Sequence, residues 1–98
     1  MTVYPDGREV CDLTTAAGLR EYRRRILIML QRQNYQCGIK NSLFCDPTFL
    51  PFEIATFDHQ DGRGSGGGHR DDRIEKDGKP YNCAACAWCN AEKGSKRA

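Results

Sequence analysis

The chain has 98 residues, a formal net charge of +2 and six cysteines. A domain this short buries little apolar surface and gains from a staple, and it holds no run of about 18 apolar residues, which excludes a membrane-spanning helix. A net charge so near zero does not point to nucleic acid by itself; only its distribution can.

Residues 1–13 are expected to be irregular or a short hairpin, because Pro5-Asp6-Gly7 is a turn sequence. No basic stretch followed by an apolar one stands at the N-terminus, so no secretory signal is read and a reducing, cytoplasmic location is expected. A helix is predicted over 15–34, with Thr14 or Thr15 as its N-cap. Leu19, Tyr22, Ile26, Met29 and Leu30 recur at helical spacing and should form its apolar face. Arg20, Glu21, Arg23 and Arg24 fall largely elsewhere, and the Arg20–Arg25 run reads as a solvated face. Gly18 weakens the first turns.

Cys37-Gly38 is expected to end that helix and open a loop to about Pro51. Phe52-Glu53-Ile54-Ala55-Thr56-Phe57 alternates in part and predicts a strand with Asp58-His59 at its end. Residues 60–80 read as one long polar loop, rich in glycine at 61–68, of the kind that is functional or disordered. A second short strand is predicted over 81–85. A short helix follows over 87–93, with Gly94 as its C-terminal cap.

Six cysteines in a reducing compartment call for a role other than disulfides. Cys86-Ala87-Trp88-Cys89 is a C-x-x-C, whose spacing lets two thiolates reach one tetrahedral ion with little backbone strain. Two further ligands must come from Cys11, Cys37, Cys45, Cys83, His59 or His69. Cys37 and Cys45 are the choice, because they flank the loop before the predicted strand. Cys11 and Cys83 are then ordinary small apolar residues. A thioredoxin-type redox site would need a βαβ context that the chain lacks.

Two stretches carry a resemblance. Phe57-Asp58-His59-Gln60-Asp61-Gly62-Arg63-Gly64, followed by Cys86-Ala87-Trp88-Cys89-Asn90-Ala91-Glu92-Lys93-Gly94, resembles the HNH (ββα-metal) endonucleases. The pairing of Asp-His with a zinc-binding Cys-Asn also looks like the phage enzymes that resolve DNA junctions. The likeness covers about residues 37–97, and residues 1–35 match nothing named. It implies an α+β fold: one domain over 1–98, made of an N-terminal helical extension (1–35) and a zinc-stapled HNH core (36–98).

The chemistry implied is coherent. Hydrolysing a phosphodiester needs an activated water and a cation near the developing charge. A neutral histidine can take the water's proton near pH 7, so His59 is the expected general base. Asp58 and Asn90 offer hard oxygens that suit Mg²⁺ or Mn²⁺, while Zn²⁺ at Cys37, Cys45, Cys86 and Cys89 builds the site. Because Cys89 and Asn90 are adjacent, fixing the thiolate also fixes the amide. The resemblance assigns Asn82 to holding the histidine loop. Trp88 could stack on a base or pack over the zinc site.

DNA is the expected partner, met by Arg63, Arg70, Lys93 and Lys96. Asp71 and Asp72 oppose phosphate locally and are read as loop anchors paired with arginine. Whether the protein works as a homodimer is left open, as is the competing reading of an inactive zinc-dependent nucleic-acid-binding or interaction module.

Overall fold

Pro5-Asp6-Gly7 turns the chain back on itself, as expected. In the computed structural model, which describes residues 1–60 and 70–96, with side chains as far as Glu92, strand β1 (Thr2–Val3) pairs antiparallel with β2 (Glu9–Val10). Tyr4 accepts from the N–H of Gly7 at 2.9 Å, and Gly7 takes a φ of +94° that an L side chain would resist.

Helix α1 (Ala16–Arg32) begins where the sequence predicts: Thr15 caps it, its hydroxyl accepting from the N–H of Gly18 at 3.0 Å. Ile26, Met29 and Leu30 are buried and Tyr22 is partly so. Leu19 shares that face by angle but is 44% exposed, because the covered face is rotated toward Gly18 and Arg25. Arg25 is not on a solvated face: it is 7% exposed and donates to Glu21 (2.7 Å), to Glu9 (2.8 Å) and to the carbonyl of Asp72 (2.9 Å). A buried guanidinium persists only when its donors are used this way. Hydrogen bonds from Arg24 and Arg25 in turn hold the Glu21 carboxyl at about 2.

Gly18 is a close-approach residue rather than a weak point, since a Cβ there would overlap the backbone carbonyl of Asp12. Alanine inside a helix ordinarily gains about 0.5–1 kcal/mol over glycine. Here the sign should reverse, Gly18→Ala costing about 1–3 kcal/mol as an overpacked contact. A denaturant midpoint that rises in this variant would show the approach to be looser than described.

The helix stops at Arg32 rather than at Cys37-Gly38, because Asn34 and Tyr35 both take positive φ (55° and 56°) and reverse the chain. Just beyond its end, Gln33 bonds the backbone of Ala84 twice: its amide nitrogen donates to the carbonyl at 2.9 Å, and its oxygen accepts from the N–H at 2.8 Å. Residues 52–57 are not one strand. Phe52–Ile54 forms a single 3₁₀ turn closed by local bonds, and β3 is only Thr56–Asp58.

Within the stretch expected to be one loop, residues 75–80 form regular structure instead. β4 (Glu75–Lys76) and β5 (Lys79–Pro80) form a hairpin around Asp77-Gly78, with φ of +56° and +75°. An Asp-Gly pair suits a two-residue turn that needs positive φ at both positions. β6 (Cys83–Ala85) lies antiparallel to β3, pairing Thr56 with Ala85, Phe57 with Ala84 and Asp58 with Cys83. α2 (Ala87–Lys96) follows at once and runs through Gly94, which therefore does not cap it.

The result is a small α+β fold of helices and two-stranded antiparallel sheets. Its core joins Ile26, Met29 and Leu30 to Leu50, Phe57, Ala84, Ala85 and three cysteines. No helix among the described residues is long and apolar enough to cross a membrane.

Candidate metal centre and the polar site beside it

Gly38 brings the first cysteine into place. Its N–H donates to the carbonyl of Ala84 at 2.9 Å, and a Cβ on it would stand 2.7 Å from the sulfur of Cys83. Glycine here lets the Cys37 loop lie against β6, two residues before Cys86. Cys86 stands immediately before α2 and Cys89 in its first turn, and the loop closes with Cys45. The Sγ atoms of Cys37, Cys45, Cys86 and Cys89 all lie within 4.8 Å of one another.

This arrangement could hold a metal such as zinc. A tetrahedral Zn²⁺ with Zn–S bonds of about 2.3 Å sets its sulfurs about 3.8 Å apart, so the observed cluster closes on that geometry with small movements. The donor chemistry agrees, since four thiolates suit zinc and not Mg²⁺ or Ca²⁺. Backbone N–H groups already face the sulfurs: Asn41 and Ser42 donate to Cys89 at 3.3 Å each, and Cys89 to Cys86 at 3.4 Å. Burial pushes the Cys37 thiol up, but N–H donors from Lys40, Cys86 and Ile39 and the Cys45 thiol outweigh it and leave it at about 7. Burial raises Cys45, as do its bonds to the other three sulfurs. Thiols crowded in this way share protons until a cation takes their place.

All six cysteines are free of disulfides. Cys11 is wholly buried, as an apolar filler would be. Cys83 does more than fill space, its thiol donating to the carboxylate of Asp58 at 3.3 Å. Trp88 is 57% exposed and tilts against Phe44 of the Cys37–Cys45 loop at 5.0 Å.

Asp58 ends β3 and His59 follows it directly. Asp58 is buried beside Cys83, its partner in register. The His59 ring stacks on Phe57 at 4.7 Å, and Phe57 on Tyr22 at 4.9 Å. Its Nε2 lies 2.7 Å from Oδ1 of Asp72, and the residue is only 7% exposed. Burial alone would raise the Asp72 carboxyl; hydrogen bonds from His59, Arg70 and the Cys11 N–H overcome it and hold the group well below the usual carboxylate range.

Asp72 is the residue that sequence reasoning missed at this site. Its pairing with arginine was readable in Arg70-Asp71-Asp72-Arg73, and Arg73 does pair with Asp71 at 2.7 Å and Arg70 with Asp72 at 2.6 Å. Its approach to His59 spans thirteen positions and left no local signal.

Asn82 joins three backbone segments. Its side-chain oxygen accepts from the N–H of Gln60 at 2.7 Å, and its nitrogen donates to the carbonyls of Asp71 (2.8 Å) and Arg73 (2.6 Å). Asn90 turns its amide nitrogen to β3, donating to the Thr56 hydroxyl at 3.0 Å and the Phe57 carbonyl at 3.2 Å. The nitrogen end serves the strand, and the oxygen is the end that could ligate a cation.

Of the residues expected to meet DNA, Arg70 is engaged within the chain, holding Asp72, donating to the carbonyl of Cys11 at 2.9 Å and lying over the Tyr22 ring. Arg63, the rest of the glycine-rich segment and His69 lie outside the described residues, as do the side chains of Lys93 and Lys96. No family model, curated protein or solved structure matches the chain.

Proposed function

We propose that this protein is an HNH-type endonuclease that hydrolyses DNA phosphodiester bonds, with zinc at the four cysteines and a second divalent cation at the reaction centre. The observation that carries this reading is the Asn90 contact with β3. Asn90 follows a clustered cysteine and bonds the carbonyl of Phe57, the residue before Asp58-His59. One metal-stapled helix turn thus stands against the end of the strand that bears the expected base.

In this reading His59 accepts the proton of a water as the water oxygen bonds to phosphorus. One P–O ester bond breaks, and its electron pair leaves with the departing oxygen. Asp58 and Asn90 would hold Mg²⁺ or Mn²⁺, whose charge stabilises the phosphate as negative charge develops on it. The two residues supply one carboxylate and one amide oxygen, a hard donor set that fits such a cation. Asn82 ties Gln60, next to His59, to the strand leading into the cysteines, so the base is held by its own backbone.

A second reading is favoured by the burial of His59 and by the engagement of Arg70 with Asp72. It makes the protein an inactive zinc-dependent module that binds nucleic acid or a partner. Zinc-loaded protein incubated with supercoiled plasmid separates the two. Nicking that depends on added Mg²⁺ or Mn²⁺ and stops with EDTA is expected; plasmid left intact with every metal, by protein that still binds DNA, selects the inactive module.

A further inference from the structure

We propose that Asp72 is the positioning residue of His59, set in place by the N-terminal hairpin and α1, so that residues 1–35 belong to the site. This rests on the nuclease reading above. Asp72 is 0% exposed, and both carboxylate oxygens are engaged. Oδ1 meets Nε2 of His59 at 2.7 Å, and Oδ2 accepts from the backbone N–H of Cys11 at 2.8 Å. Arg70 spans both oxygens, with Nε at 2.9 and 3.1 Å and Nη2 at 2.6 Å from Oδ2.

The backbone of Asp72 is held as firmly as its side chain. Its N–H donates to the carbonyl of Glu9 at 2.7 Å, and its carbonyl accepts from the buried guanidinium of Arg25 at 2.9 Å. Glu9 and Cys11 belong to the N-terminal segment, and Arg25 to α1. Arg25 also bonds Glu9, so hairpin, helix and the Asp72 segment close one ring of contacts. A carboxylate so fixed cannot turn away from the imidazole.

The chemical consequence lies in the tautomer. An ionised carboxylate only accepts, so the His59 proton resides on Nε2 and the lone pair on Nδ1. Nδ1 is then the atom that takes the proton from water. Phe57 stacked on the ring fixes its plane, while Asp72 fixes its rotation and its proton. Behind a metal-bound histidine a carboxylate partner is worth about 10–100-fold, and a loss of that order is the scale expected for His59.

The test uses the full zinc-loaded chain. Long-range ¹H–¹⁵N NMR of the wild-type protein reads the His59 tautomer directly, with Nε2–H expected. In Asp72→Asn, where one carboxylate oxygen becomes an amide nitrogen, the ring should move toward Nδ1–H. Metal-dependent nicking should then lose about 10–100-fold in kcat with KM little changed. Zinc content and circular dichroism should match wild type. An Nδ1–H ring in the wild-type protein, or an unchanged kcat in Asp72→Asn, overturns the inference while leaving the nuclease reading intact. Should Asp72→Asn fail to fold, the wild-type tautomer still decides. Wild-type protein that cuts no DNA instead overturns the nuclease reading, and the positioning role with it.

Discussion

Cys86→Ser is expected to release the metal and unfold the chain. Structural zinc sites bind with about 10–16 kcal/mol, which is folding free energy because the unfolded chain has no preformed site. The whole stability of a small domain is only about 5–15 kcal/mol. Three of the four sulfur-bearing residues are also core residues: Cys37, Cys86 and Cys89 are buried with Leu30, Leu50 and Phe57. The strand that leads to them contributes only the alanines Ala84 and Ala85 to that core, so little apolar bulk remains to hold the C-terminal half once the metal is lost. Elemental analysis should give one zinc per wild-type chain and none in the variant, with the far-ultraviolet dichroism of folded structure lost. A chelator should do the same to the wild type. Cys83→Ala, outside the cluster, should keep its zinc. A folded Cys86→Ser protein with a full metal complement, or a wild type indifferent to chelation, would refute the staple.

What was readable from the sequence follows the range of the interactions concerned. The Thr15 cap, the Tyr22–Leu30 stripe, the Pro5-Asp6-Gly7 turn and the Cys86/Cys89 pair are local patterns, and each stands in the fold as read. The grouping of Cys37 and Cys45 with that pair was recoverable because a C-x-x-C supplies only two of four ligands and these two cysteines flank the loop before the predicted strand. The β4–β5 hairpin was equally local, but Asp77-Gly78 was absorbed into a loop whose glycine content dominates its composition. Gly18 and Arg25, read as a weak point and a solvated residue, and the setting of His59 owe their places to contacts outside the local pattern. Gly18 is set by Asp12, Arg25 by Glu9 and Asp72, and His59 by Asp72. Arg25 reaches across to Asp72 from the N-terminal third, His59 meets Asp72 thirteen positions away and Gly18 closes a tight approach, and periodicity carries no record of any of them. Cys11 and Arg25 of the N-terminal third both bond Asp72, which in turn meets His59.

His59→Ala should reduce metal-dependent DNA cleavage by about 10²–10⁴-fold, the usual contribution of a general base, and leave zinc bound. The four sulfurs do not involve His59, so loss of metal cannot account for the loss of rate. Loss of fold is the competing explanation, because the ring packs on Phe57 and is buried. Two features limit that damage. Asp72 keeps Arg70 and the Cys11 N–H when the imidazole is gone, so its charge stays paired. Asn82 still anchors the backbone of Gln60. His59→Gln restores most of the volume and offers Asp72 an N–H donor, so it should fold closer to wild type than alanine does while remaining as inactive. The two variants therefore separate packing from proton transfer. Stability that recovers in glutamine without recovery of cleavage is the signature of a base. Cleavage at the wild-type rate in either variant would remove His59 from the chemistry and leave it a buried anchor for Asp72.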